Sequence, residues 1–225
     1  CLVLALVLQP LRRQFDQGRD PDQSLALGEL GRTLRQVTGL APLRELALAT
    51  FVFVGLQAIF VAFFVTYLVK GLGHTLQTAG GVFSAALAVA IGARILWGWV
   101  ASRYLAPQVV LGLLGLVMAA ASGGLALCTP DWPIAAIGAV AMVFTGSAIS
   151  WHGVTLSEVA RLAPQGRVGA ATGGVLFFTS AGLLVYPAVF GLILGLSNSY
   201  GLGFALAGLP ALAVGIRFLW RRKEA

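Results

Sequence analysis

Six stretches of about 20 mostly apolar residues follow one another in this sequence, and short turns separate them. A helix needs about 20 consecutive apolar residues to cross the hydrocarbon core of a bilayer. Only 10% of the residues are charged, whereas soluble domains carry about 25%, so water could not solvate such a chain. The sequence therefore predicts an all-α polytopic membrane protein with six transmembrane helices, near residues 46–69, 78–100, 107–128, 134–154, 169–194 and 201–219.

Two segments precede these helices, and a short tail, residues 220–225, follows them. Residues 1–9, CLVLALVLQ, are apolar but too short to span a bilayer. We interpret them as the end of a truncated transmembrane helix, and the sequence as a fragment of a longer protein. Residues 10–45 contain six arginines and five acidic residues, which predicts a polar connector at the membrane surface. Within it, residues 24–40 have the apolar spacing of a short amphipathic helix.

Basic residues are distributed unequally between the two ends of the predicted helices. Thirteen lysines and arginines lie on the side of the connector, and Lys70 alone lies on the other side. Cytoplasmic loops of membrane proteins carry such an excess. We therefore expect a protein of the cell inner (plasma) membrane whose connector and C-terminus are cytoplasmic. Contact with the lipid bilayer accounts for the basic composition, so we expect no nucleic-acid partner.

Arg94 interrupts the second apolar stretch, in the segment GARILWGWVASRYLAP, residues 92–107. A charge at the bilayer centre costs about 2.5–3.5 kcal/mol on insertion scales and less near an interface. Two interpretations stay open. Arg94 extends to the cytoplasmic headgroups, or it faces the protein interior near a solute path or a gate.

The end of this helix and the loop after it carry a partial motif. Arg94-x-x-x-Gly98-x-x-x-x-Arg103 resembles the signature between the second and third helices of each half of the major facilitator superfamily. The family form is roughly Gly-x-Leu-x-Asp-Arg-x-Gly-Arg-Arg. Gly98 matches the glycine and Arg103 the first arginine, whereas Ser102 replaces the aspartate. Residues 105–107, Leu-Ala-Pro, replace the second glycine and the later basic residues.

A second stretch supports this resemblance. Residues 151–174, WHGVTLSEVARLAPQGRVGAATGG, resemble the segment that joins the tenth and eleventh helices in bacterial cyanate-permease-like and related uncharacterised permeases. Those proteins often have asparagine where His152 stands. The resemblance implies that residues 46–219 are helices seven to twelve, the C-terminal half of a secondary transporter. Such a protein is not an enzyme and moves a small solute by alternating access, with a missing N-terminal six-helix half as partner.

The resemblance also implies a gate at the cytoplasmic end. Gly98 would let helices approach closely, and Arg103 would pair with Glu158, the acid in the neighbouring cytoplasmic loop. Arg161 or Arg167 would complete the latch. The alternative is a solvated surface pair worth about 0–1 kcal/mol.

A second group of residues is predicted to line the solute cavity. Gln57 lies near the middle of the first helix, and Phe53, Phe60 and Phe64 share its face. A lone amide among aromatic rings suits a small polar or anionic solute, and the resemblance places the seventh helix at the cavity. The alternative is an amide that hydrogen-bonds to another helix. Tyr186, beside a proline in the fifth helix, contacts either solute or a neighbouring helix.

Ionisable side chains bear on the solute and on coupling. With Arg94 in the cavity, an organic anion is the favoured solute. His152 is a possible proton relay, because histidine titrates near neutral pH, or an interfacial residue at a helix end. The two cysteines, Cys1 and Cys128, lack partners at metal-ligand spacing, so we expect no metal and no cofactor.

Two other classes of protein remain as alternatives. The first is a membrane scaffold that transports nothing and has no aqueous path. The second is an intramembrane serine protease built on Ser147 and His152. These two residues are five apart, which places them about 140° apart around a helix, and no catalytic loop motif accompanies them.

Overall fold

The computed structural model describes residues 27–221, and it describes side chains for residues 31–220. Residues 1–32 and 33–225 form separate compact units. Of the first unit the structure describes only residues 27–32, which begin a helix. The predicted helix end at 1–9, residues 10–26 of the connector and residues 222–225 of the tail lie outside the described residues.

Helices make up the regular structure of residues 27–221, and six helical segments are long and apolar enough to cross a membrane. This confirms the predicted all-α membrane fold. The first of these segments, Ala41–Gly71, ends in a π-helical turn at Tyr67–Gly71, and the fourth, Ile134–Leu162, consists of two helices. The helices are α1 (Leu27–Gly39), α2 (Ala41–Thr66), α3 (Leu76–Arg103), α4 (Pro107–Leu127), α5 (Ile134–Ala148), α6 (Trp151–Leu162), α7 (Val168–Ser197) and α8 (Tyr200–Arg221).

The first span begins earlier than the apolar pattern predicts. It starts at Ala41 instead of residue 46. Pro42 lies in its first turn, where the missing backbone N–H removes no helical hydrogen bond. Glu45, which the sequence assigns to the polar connector, is therefore a buried residue of the first span, with 8% of its surface exposed.

The fourth span differs more from the prediction. It continues to Leu162 instead of ending near residue 154, and it is interrupted between Ala148 and Trp151. Serine hydroxyls flank the interruption. Ser147 donates to the carbonyls of Val143 and Phe144, and Ser150 donates to the carbonyl of Gly146 at 2.7 Å. Such bonds from a side chain to its own helix favour bending.

The helices of the bundle pack mainly in pairs, α4 with α8, α2 with α7, and α3 with α5. Glycines bring the first pair into backbone contact. A Cβ added at Gly115 would lie 3.0 Å from the carbonyl oxygen of Ala211 and 3.1 Å from the Cα of Gly215. In a bilayer the hydrophobic effect does not drive helix association, so such close van der Waals packing is a principal source of cohesion.

Glycines have the same function between α2 and α7. A Cβ added at Gly182 would overlap the backbone carbonyl of Phe51, and one added at Gly55 would overlap the ring of Tyr186. Tyr186 also meets Phe51 edge to face, with ring centroids 5.5 Å apart. The middle of α7, where Pro187 lies, is therefore held directly against α2.

An aromatic cluster fills the centre of the bundle. The ring of Phe60 stacks on Phe64 at 4.3 Å, on Phe144 at 5.0 Å and on Phe83 at 5.9 Å between centroids.

Two spans contribute little to the core of the bundle. α3 buries only three alanines, and α7 buries five residues of its 30. Most of their surface is free within this bundle.

Candidate functional site

The interruption in the fourth span exposes backbone carbonyls at the end of α5. The last carbonyls of a helix lack partners within it, and they carry the negative end of the helix dipole. Ile149 is the residue that caps α5. Its carbonyl is therefore an acceptor for a cation within a spanning segment.

Arg94 of α3 occupies this acceptor. Its Nη2 donates to the carbonyl oxygen of Ile149 at 3.0 Å, and its Nε donates to the same oxygen at 3.2 Å. Arg94 lies nine residues, about 14 Å, from the end of α3, because the helix extends to Arg103 instead of residue 100. The guanidinium reaches across to the neighbouring helix, and the residue remains exposed.

Two bonds leave most of the guanidinium free. Arginine has five N–H donors in a planar fork that matches a carboxylate. The Ile149 carbonyl takes two of them and fixes the plane of the fork. The remaining N–H donors of Arg94 are available to an anion within the second span.

His152 contacts the same carbonyl. Its Nδ1 lies 3.2 Å from the Ile149 oxygen, and its ring stacks on Trp151 with centroids 3.8 Å apart. Trp151 is itself held by a bond from its indole nitrogen to the carbonyl of Ala148 at 2.9 Å. The interruption therefore brings Arg94 and His152 together, although they are far apart in the sequence.

The predicted cavity residues of α2 divide into two groups. Phe53 and Phe60 are buried in the packing of this bundle, with 0% and 1% of their surface exposed. Gln57 is half-buried, and its Oε1 atom is enclosed without a hydrogen-bond partner among the described residues. A buried carbonyl oxygen without a donor is costly, so this amide is suited to a donor that the bundle does not supply.

Tyr186, the remaining predicted cavity residue, is half-buried between α2 and α7. Its ring packs against Gly55 and Phe51, both in the first span. The structure thus places the aromatic ring of Tyr186 in a helix contact.

A charged cluster lies where α6 ends and α4 begins. Arg161 binds Glu158 with two bonds, Nη2 to Oε1 at 2.6 Å and Nε to Oε2 at 2.8 Å. Gln108 also donates to Glu158, at 3.3 Å. The Glu158 side chain is 1% exposed, whereas that of Arg161 is 60% exposed. The pair therefore combines a buried carboxylate with a solvated cation.

The other predicted members of the latch do not join this pair. Among the described residues Arg103 makes no ion pair with Glu158, and Arg161 takes that position instead. Arg167 donates to the side chain of Gln36 on α1 at 3.3 Å. A Cβ added at Gly98 would meet nothing within 4 Å, so this glycine makes no close helix contact in the bundle.

A second ion pair completes the cluster, and the sequence did not predict it. Arg217 near the end of α8 donates to Oε1 of Glu45 near the start of α2, at 2.7 and 3.2 Å. A small cavity of about 50 Å³ separates the two carboxylates, Glu45 and Glu158. Glu45 and Arg217 are 172 residues apart, so only the packing of the first span beside the last could reveal the pair.

We expect Arg161→Gln to destabilise the bundle by about 1–2 kcal/mol, because it leaves a buried carboxylate with only Gln108 as a donor. This is less than the about 3–5 kcal/mol for a fully buried pair, since Arg161 is largely solvated. Thermal unfolding in detergent measures the effect. Glu158→Gln in the same chain should restore part of the loss, and Arg103→Gln, which breaks no ion pair within residues 31–220, should cause none. Equal melting temperatures for Arg161→Gln and Arg103→Gln would contradict this account.

The structure shows the surroundings of Ser147, the serine of the protease alternative. Ser147 is 1% exposed, and its hydroxyl donates to carbonyls of its own helix at 2.9 and 3.0 Å. The Nδ1 atom of His152 lies against the Ile149 carbonyl. The described residues therefore contain no hydrogen-bonded pair of Ser147 and His152.

Residues 27–221 contain six span-length helices and no strands, an arrangement consistent with half of a major facilitator fold. The chain is similar to the crystal structure of the Escherichia coli fucose:proton symporter FucP, with a TM-score of 0.71 and 18% sequence identity. The similarity covers 91% of this chain and 48% of the symporter chain. The chain thus spans about half the length of that transporter, and at this identity the likeness concerns the fold.

No family model matches the sequence, and no curated protein matches it. The similarity to the symporter structure supports a major facilitator-like fold and does not support the narrower cyanate-permease-like subtype. That subtype stays a prediction from residues 151–174.

Proposed function

We propose that this chain is one half of a secondary transporter that carries a small anionic solute by alternating access. A second six-helix half completes the solute path. The fold supports the transporter class, and the chemistry of the second and fourth spans supports the charge of the solute.

Arg94 is the observation that carries the proposal. An exposed guanidinium about 14 Å inside a spanning helix is unfavourable against lipid. Its bonds to the Ile149 carbonyl hold it at the helix interruption, directed to a neighbouring span. A carboxylate that binds the free N–H groups would gain charge-assisted bonds that a neutral solute could not make.

The free surfaces of α3 and α7 suit the proposed second half. Both helices are long and apolar enough to span a membrane, yet only 17% of the apolar stretch of α3 and 11% of that of α7 are buried within the bundle. A solute path between two halves needs walls that are not already packed within one half. We therefore place the path beside α3, with Arg94 at its wall, and Gln57 as a further polar contact.

His152 would affect the same site. A proton on its ring would add a second positive charge beside Arg94, at the carbonyl that both residues contact. We keep His152 as the candidate proton relay of the transporter. The scaffold alternative predicts no solute and no effect of charge at either residue.

A solute panel tests the proposal. The complete transporter is purified, and its thermal unfolding is measured with small carboxylates and with the corresponding neutral amides. A ligand that binds only the folded state, at 100 times its Kd, adds about 2.7 kcal/mol of stability, which raises the melting temperature by several degrees. We expect at least one carboxylate to do so in the natural protein, and Arg94→Gln to remove the shift. Stabilisation by amides and carboxylates alike, or by carboxylates in Arg94→Gln, would refute an anion site at Arg94.

A further inference from the structure

Two apolar grooves flank the end of α8, on either side of the same helix. The first, about 340 Å³, is lined by Leu116, Ile216, Leu219 and Trp220. The second, about 120 Å³, lies between α8 and α2 and ends at Glu45 and Arg217. Neither groove belongs to the site around Arg94.

The first groove follows from the glycine contact of α4 and α8. A Cβ added at Gly112 would lie 2.9 Å from the Cγ of Leu219, so this side chain lies against the backbone of α4. Ile216 and Trp220, on the outer side, remain 48% and 66% exposed. The result is a shallow apolar channel along a spanning helix, with an indole ring at its end.

Positive charge lies at the same end of the helix. Arg217 uses its Nε and Nη2 groups on Glu45, yet its side chain is 58% exposed. Arginine has further N–H donors on the other edge of its fork. In the sequence Arg221, Arg222 and Lys223 follow directly. Lysines and arginines beside the end of a membrane helix attract anionic headgroups, and tryptophan favours the headgroup level.

We propose that the end of α8 binds a phospholipid with an anionic headgroup. Its acyl chains lie in the two grooves, and its phosphate contacts the free edge of Arg217. The charge of Arg217 favours an anionic lipid over a zwitterionic one of the same shape. This inference concerns the lipid-facing surface and does not depend on the identity of the solute.

Quenching of Trp220 by brominated lipid tests the proposal. The full chain is placed in bilayers that contain brominated phosphatidylglycerol or brominated phosphatidylcholine with the same acyl chains. The difference between the natural chain and Trp220→Phe isolates the fluorescence of Trp220 from that of the other four tryptophans. We expect brominated phosphatidylglycerol to quench Trp220 at a roughly fivefold lower mole fraction than brominated phosphatidylcholine does. One cation near the surface strengthens the binding of an anionic lipid by about this factor.

Three variants separate headgroup contact from folding. Arg217→Gln should reduce the preference for phosphatidylglycerol, and Arg103→Gln, an exposed arginine on α3, should leave it unchanged. Glu45→Gln breaks the same ion pair but keeps the cation, so the preference should persist. Equal quenching by both lipids in the natural chain overturns the proposal, as does loss of the preference in Glu45→Gln. No quenching by either lipid would show that protein covers the groove, which overturns it as well.

Discussion

Gly215→Leu will prevent the native packing of α4 against α8. A Cβ at this position would lie 2.8 Å from the backbone nitrogen of Leu116 and 2.9 Å from the carbonyl oxygen of Gly112. Backbone atoms of a spanning helix cannot move aside as a flexible side chain can. Overpacking in a core costs about 1–3 kcal/mol and occasionally more, and the whole leucine side chain meets the same obstacle. We expect a loss of at least about 3 kcal/mol and a bundle that fails to fold at ordinary temperatures.

Thermal unfolding and size-exclusion chromatography in detergent measure this effect. Gly123→Leu is the matched control, because it places the same side chain on α4 where a Cβ meets nothing within 4 Å. Gly215→Ala, which adds only the Cβ, should fall between the control and the leucine variant. If Gly215→Leu has the same melting temperature as Gly123→Leu, then α4 and α8 are not in backbone contact.

Arg94→Gln will reduce uptake of the anionic solute by roughly 100-fold or more in a transporter that contains this half. Hydrogen bonds to charged groups contribute about 1.5–3 kcal/mol each, and a carboxylate on the free edge of the guanidinium would make two. Glutamine still has an N–H to offer the Ile149 carbonyl, so the contact between α3 and the end of α5 is largely retained. The loss would therefore fall on the solute and less on stability.

Arg94→Lys distinguishes charge from geometry. The ammonium keeps the positive charge but lacks the planar fork. It would therefore bind either the Ile149 carbonyl or the solute carboxylate in good geometry, but not both at once. We expect partial uptake, between the natural protein and Arg94→Gln, in proteoliposomes loaded with the solute that the panel identifies. Arg44→Gln, an exposed arginine outside the site, controls for loss of charge. Full uptake by Arg94→Gln would remove Arg94 from the solute path.

The length of the apolar stretches predicts the spans, because lipid imposes one requirement on every segment that crosses it. The ends of the spans depend on local chemistry, and there the prediction failed. α2 begins at Ala41, with Pro42 in its first turn, inside the stretch that the sequence assigns to the connector, and Glu45 is a buried residue of this helix. α3 likewise continues to Arg103 instead of ending near residue 100.

The site was harder to predict, because it depends on the interruption of one helix. The segment GSAISWHG, residues 146–153, combines glycine, serine and histidine, which are poor helix formers. This composition was the feature of the sequence that could have indicated the interruption. The bond from Arg94 to the Ile149 carbonyl crosses 55 residues and involves a backbone atom, so no pattern of side chains encodes it. The sequence predicted a latch of Glu158 with Arg103 and with Arg161 or Arg167, and in the structure Arg161, one helical turn away, pairs with Glu158.

Water access beside Arg94 tests the central claim most directly. Ile91 lies one turn from Arg94 on α3, about 18 Å from the end of the helix, and is 69% exposed. Ile91→Cys, in a transporter of both halves without Cys1 and Cys128, is treated with a charged thiol reagent, and Leu209→Cys on the outer side of α8 serves as control. The account predicts that Ile91→Cys is labelled, that the anionic solute slows its labelling, and that Leu209→Cys is not labelled. Failure to label Ile91→Cys from either side of the membrane would contradict it and favour a scaffold without an aqueous path.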